Sequence, residues 1–417
     1  MSYQIPIGRL SKTFLLIKLI QLIIIYFTPI QFDTSSQIII SKLSSPSIYI
    51  PNIFKVIIDK VLVWDSVYFN DLFVNEYKYE HQYVFCPSWL SFIRNLPGPS
   101  LYYDKFIISL IFSNIFHYLS IIVLYYLTIE VFNGRRPHSE KDQLSQLSSI
   151  YLIISTAGVF LTINYSENLC NFLSYLALLT YYKGVNYNDV TKSTQRSKKS
   201  IRNYTFYFLS GIIIAINFTV RANTLLMGVI YLIDVYDFYI VSNDLNSTCW
   251  SIITGLPLFF TFVITNIRNY LQFCPQRGEW CNSRLPILFS FVQQEYWNNG
   301  FLTYWTINNI PNFLLIIPTL LIQIQSIHYF YIELPRIKKV FPVLILTILV
   351  NIGAVFFWNA QILTRVVTFL PLSFWYCSIH YIEEKTTTKL VSRTIAYYNL
   401  GWIFLQTSLL AAFLPPA

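Results

Sequence analysis

Apolar residues run along this chain in long blocks separated by short polar turns. The first block, from Thr13 to Ile30, follows Arg9 and Lys12. Further blocks lie near Asp104–Phe132, Ser148–Ile163, Asn168–Tyr182, Tyr204–Val220, Thr224–Val241, Cys249–Asn266, Ile310–Phe330, Val340–Trp358, Ile362–Tyr381 and Thr394–Phe413. A bilayer core needs about 20 apolar residues per helix, so the pattern predicts an all-α polytopic membrane protein with about eleven transmembrane helices. The first block contains Lys18 and lacks a small-residue cleavage site, which predicts a retained signal anchor. Two stretches, 31–103 and 267–309, are too long and polar to be simple turns. With no internal repeat and no soluble segment, 1–417 is expected to be a single transmembrane domain with two long loops.

Charge sets the orientation. Arg135, Arg136 and Lys141, then Lys192, Arg196, Lys198, Lys199 and Arg202, then Arg336, Lys338 and Lys339, then Lys385, Lys389 and Arg393 all fall between blocks on one side. By the positive-inside rule that side is cytosolic, and both long loops are lumenal. The polar run Asn186–Asn203 is expected to be a mobile linker.

Composition agrees: 54% of the 417 residues are hydrophobic and only 12% charged, against about 25% charged in soluble domains. The net charge of +9 is dispersed among the loops, so nucleic-acid binding is excluded and headgroup contact suffices to explain it. Six cysteines and five scattered histidines make neither a disulfide framework nor a metal array, and no glycine-rich nucleotide cradle is present. Cys274 and Cys281 are close enough for a local disulfide in an oxidising lumen.

The candidate chemistry gathers in the first loop. Its segment VLVWDSVYFNDLFVNEYKYEHQYVFCPSW (61–89) sets Asp65, Asp71, Glu76, Glu80 and His81 among aromatic rings. A carboxylate beside rings suits sugar handling, because the rings contact the apolar sugar face while the acid takes a hydroxyl proton; a solvated amphipathic helix is the plain alternative. Glu167, Arg221 and Arg365 stand at span edges, where ionisable groups are costly and tend to face a cavity or a partner. Glu167 could instead serve only as a helix start, and Arg365 could snorkel. The second loop offers Gln294 and Trp297 as a hydrogen-bonding amide and a stacking ring, or as an interfacial belt.

The blocks WDSVYF (64–69), YEHQYVFCPSW (79–89), NYSEN (164–168), VRAN (220–223) and LPILFSFVQQEYWNNGFLTYW (285–305) closely resemble the PIG-V family. The resemblance implies a GT-C type glycosyltransferase of the endoplasmic reticulum membrane, adding the second, α-1,6-linked mannose to the glycosylphosphatidylinositol (GPI) precursor from dolichyl-phosphate-mannose. It implies Asp65 as catalytic base, with Glu80, His81, Glu167, Arg221, Gln294, Trp297 and Arg365 binding substrate. It also implies no metal or other cofactor and a small membrane partner subunit. Another GT-C mannosyltransferase and, from a different class, a transporter or flippase are the competing expectations; polar residues gathered on one side, without a repeat, favour the enzyme.

Overall fold

A computed structural model describes residues 6–29, 31–33, 35, 49–99, 101–134, 136–187, 199–274, 278–383 and 386–415. Helix α1 (Ile7–Phe27) leads into three short helices, α2 (Asn52–Val61), α3 (Asp65–Val74) and α4 (Pro87–Asn95). The bundle continues with α5 (Tyr102–Val131), α6 (His138–Ile153), α7 (Glu167–Gly184), α8 (Tyr204–Val220), α9 (Val229–Tyr236) and α10 (Leu245–Phe273). After α11 (Leu288–Trp297) come α12 (Ile310–Glu333), α13 (Phe341–Phe356), the four-residue α14 (Leu363–Val366), α15 (Leu372–Ile382) and α16 (Thr386–Ala411).

Among the described residues, six helical stretches are long and apolar enough to cross a bilayer, and the pair Ala360–Phe369 and Leu372–Ile382, bent by 72°, makes a seventh. Three of the other four predicted blocks, Asn168–Tyr182, Tyr204–Val220 and Thr394–Phe413, fall on helices that are too short or too polar to qualify alone. Their polarity has a physical reason: Asn168, Asn171 and Ser174 on α7 and Ser392, Asn399 and Gln406 on α16 are buried inside the protein, where protein partners replace lipid.

The central packing runs α5 on α7 and α7 on α8, around a core that includes Leu124, Tyr175, Tyr207 and Trp375. A second core, with Phe73, Trp89, Ile93, Phe106 and Tyr165, docks α3 and α4 on one end of the bundle. Lys105 fastens α4 by donating to the carbonyls of Arg94 at 3.0 Å and Leu96 at 2.8 Å, a cation at a helix C-terminus where it is favoured.

Two expectations need correcting. The block Ser148–Ile163 is not one helix, because α6 stops at Ile153 and the chain proceeds through a short 3-10 turn, Gly158–Leu161. Irregular backbone at membrane depth survives only when its polar groups are satisfied by protein, and here they are. The Leu161 carbonyl accepts from Lys18 Nζ at 2.5 Å and Asn168 Nδ2 at 3.0 Å. Those of Thr162, Ile163 and Asn164 accept from Asn114 Nδ2, Ser113 Oγ and Trp89 Nε1 at 2.9, 2.7 and 3.0 Å, and the Val159 amide donates to Gln406 Oε1 at 3.0 Å. Gly158, at φ +48°, is required here, since a Cβ would lie 2.1 Å from Gln406 Oε1.

The linker is the second correction. Its ends form an antiparallel pair, β1 (Val185–Tyr187) with β2 (Lys199–Ile201), because Lys199 turns inward to Asp234 and to the Tyr181 hydroxyl. Residues 188–198, with Lys192, Arg196 and Lys198, lie outside the described residues, as do Arg135 and Lys385.

Candidate active site

Helix ends bring four of the eight predicted site residues together. Asp65 is the first residue of α3 and Glu167 the first of α7, while Arg221 caps the end of α8 and Arg365 sits in the last turn of α14. Helix starts favour anions and helix ends favour cations, so each charge sits at the terminus that stabilises it. Glu167 Oε1 lies 2.8 Å from Arg221 Nη1 and 3.7 Å from Arg365 Nη1, and Arg365 Nη1 lies 4.0 Å from Asp65 Oδ2. The Glu167 side chain is 2% exposed and that of Asp65 is 45% exposed. Glu167 therefore acts as the buried counter-ion, and Asp65 is the acid that a substrate can reach. The Arg365 guanidinium also lies 4.5 Å from the Phe160 ring centre and 5.6 Å from that of Tyr165, which fixes its plane.

Asp65 is held from several sides. Trp64 before it has φ +52°, a conformation that L residues adopt only under constraint. Ser66 after it donates its hydroxyl to Asn164 Oδ1 at 2.7 Å, and Phe69 meets Tyr165 edge to face at 5.2 Å. Burial raises the Asp65 carboxyl above the usual carboxylate range; Arg365 opposes this, Glu167 adds to it and Arg221 opposes it.

Glu80, His81 and Trp297 form a neighbouring patch. The Trp280 indole donates to Glu80 Oε1 at 3.2 Å, and the Cys274–Cys281 disulfide closes the turn that carries Trp280. Gly278, at φ +94°, leaves room for that indole, which a Cβ would approach to 2.4 Å. Glu80 thus has a partner within the chain. The His81 ring lies between Tyr79 at 5.8 Å and Tyr296 at 5.3 Å, and burial lowers its pKa, which favours the neutral imidazole. Trp297 touches Phe85 at 5.0 Å, and Phe85 touches Phe69 at 5.7 Å, one turn beyond Asp65. Gln294 is exposed on α11. Asp71 bonds Asn75 locally and Glu76 is exposed, so the five acidic and histidine groups of the first loop do not converge. Cys274→Ser is expected to lower stability by about 2 kcal/mol, read as a fall in melting temperature that reductant reproduces in the parent and does not deepen in the variant.

Sequence reasoning missed Ser66 and Asn164 as the brace beneath Asp65. Their only signal is that one adjoins Asp65 and the other opens NYSEN.

The fold matches that of a solved enzyme. The Archaeoglobus fulgidus oligosaccharyltransferase, tethered with an acceptor peptide containing the NVT sequon, aligns with 96% of this chain and 55% of its own, at TM-score 0.50 and 12% identity; the chain spans about half the length of that enzyme. The fold is therefore of the GT-C membrane class.

Within that class the chain belongs to the mannosyltransferase (PIG-V) family, whose model matches residues 7–338 and 336–417. GPI mannosyltransferase 2 of Candida albicans is 50% identical over 412 residues, covering 98% of this chain and 99% of its own. The proteins of the same name from Eremothecium gossypii and Saccharomyces cerevisiae are 33% and 32% identical, each over 98% of this chain and 99% of their own.

Proposed function

We propose that this protein transfers the second, α-1,6-linked mannose from dolichyl-phosphate-mannose to the GPI-anchor precursor at the lumenal face of the endoplasmic reticulum membrane. The observation that carries this reading is the accessible Asp65 carboxylate, 4.0 Å from Arg365, in a chain half identical along its length to a GPI mannosyltransferase 2. Asp65 takes the proton from the acceptor's mannose 6-hydroxyl as that oxygen bonds to the anomeric carbon. The bond from that carbon to the phosphate oxygen breaks on the opposite face, inverting the configuration, and the electron pair leaves with dolichyl phosphate. Arg365 and Arg221, held by Glu167, face the charge growing on that phosphate. The neutral imidazole of His81 suits a hydrogen bond to sugar better than a charge on phosphate. Glu80 and Trp297 line the approach with Gln294, and the same reading includes a small membrane partner subunit.

Purified protein given dolichyl-phosphate-mannose and a one-mannose GPI acceptor should form the two-mannose product. Activity only on other lipid-linked glycans would select a different GT-C reaction, and none on any acceptor with an intact, folded complex would refute the reading.

The acid's environment predicts the pH profile. A base works only when deprotonated, so with its pKa raised, kcat/KM should fall on the acidic side at a pH above the ordinary carboxylate range. Since Arg365 holds that pKa down, Arg365→Ala should move the acidic limb to higher pH as well as slow turnover. An unmoved limb would mean that the titrating group is another residue.

A further inference from the structure

Three polar atoms remote from the charged cluster are buried without a hydrogen-bond partner among the described residues: Ser155 Oγ, Gln323 Oε1 and Asn399 Oδ1. Their residues are 1%, 2% and 5% exposed, and all three line one cavity with Thr319, whose hydroxyl faces that of Tyr398. Ser155 follows α6, Thr319 and Gln323 lie four residues apart on one face of α12, and Asn399 belongs to α16. The cavity offers about 20 Å³ to the centre of a water molecule. One water needs about 10–15 Å³ on this measure, and a sugar or lipid group does not fit. Val367, Thr368, Ser373 and Phe374 close it from the bent span.

We propose that this cavity is a binding site for one ordered water molecule. The hydrogen-bond inventory balances: the Ser155 hydroxyl has a proton to donate, and the Gln323 and Asn399 carbonyl oxygens each have lone pairs to offer. A water donates twice and accepts from the hydroxyl, so a single molecule satisfies all three. A cation would meet the same oxygens, but no carboxylate lines the cavity, and a buried charge without a counter-ion is strongly disfavoured. The water ties the end of α6 to α12 and α16 beside the 72° bend. Thr156, beside Ser155, donates to the Thr364 carbonyl at 2.9 Å, and Thr368 donates to that of Arg365 at 2.7 Å. The bridge therefore braces the joint from which Arg365 projects, and it stands whatever sugar the enzyme transfers.

The test is a pair of cryo-EM structures of the full-length protein in lipid nanodiscs, one in sodium chloride and one in choline chloride, at a resolution that shows ordered water. One peak at about 2.7–3.0 Å from the Ser155, Gln323 and Asn399 oxygens in both salts is expected. A peak in sodium alone would make it a cation site, and side chains paired with one another around no peak would remove the site; either overturns the proposal. In thermal unfolding, Ser155→Ala and Asn399→Ala should each lower Tm by about 1–3 °C. The double variant should lose clearly less than the sum, because the two groups share one bridge; additive losses would overturn the proposal.

Discussion

Asp65→Asn is expected to cut mannosyl transfer by about 10²–10⁴-fold, the range that a positioned general base contributes, while melting temperature and binding of dolichyl-phosphate-mannose stay near those of the parent. The amide keeps the shape of the carboxylate and loses its basicity. Ser66, Asn164 and Trp64 continue to hold the start of α3, so the loss should appear in kcat. Asp71→Asn, six residues on and bonded to Asn75, is the matched control and should retain turnover. Equal losses in both variants, or full transfer by Asp65→Asn, would remove Asp65 from the chemistry.

The second large effect is expected at Glu167. Its carboxylate lies within ion-pair distance of two guanidinium groups and is itself 2% exposed. Glu167→Ala leaves Arg221 without its counter-ion and Arg365 with only Asp65, at 4.0 Å. Removing one partner of a buried charge set costs about 3–5 kcal/mol, so a clear fall in Tm is expected, with transfer falling alongside. Removing a second charge should relieve part of the damage, so Glu167→Ala with Arg221→Ala should melt above Glu167→Ala alone. If Glu167→Ala melts like the parent, the carboxylate is not the counter-ion that the distances describe.

Much of the helical layout was legible because lipid demands long apolar runs, and seven of the eleven predicted blocks coincide with a helical stretch or bent pair long and apolar enough to span a bilayer. What apolar content does not report is where a helix stops within a run. The break after Ile153 depends on Lys18, Asn114, Ser113 and Trp89, which are distant in sequence and bear no mark of the carbonyls they serve. The bend between Phe369 and Leu372 is similar, although Pro371 lies at it. Glu167, Arg221 and Arg365 stood out as charges at span edges, which is an energetic signal, and Asp65 as an acid set among aromatic rings. Asp65 already stood apart from Glu80 in the sequence, but that Glu80 has a partner within the chain depends on Trp280, 200 residues away. The buried ends of Asn186–Asn203 were hidden for the same reason: Lys199 reads as one more loop cation until Asp234 is seen beside it.

The corner that carries Glu167 owes its shape to side chains from the first helix, the last helix and three between them. A chain threaded into the bilayer in order can therefore have most of these spans in place and still have no organised centre, because Gln406 follows Val159 by 247 residues and Trp402, whose indole donates to the Thr156 carbonyl, follows it by 246. Molecules in which α16 has not docked would be inert toward lipid-linked sugars, and competence would come in one step as it does.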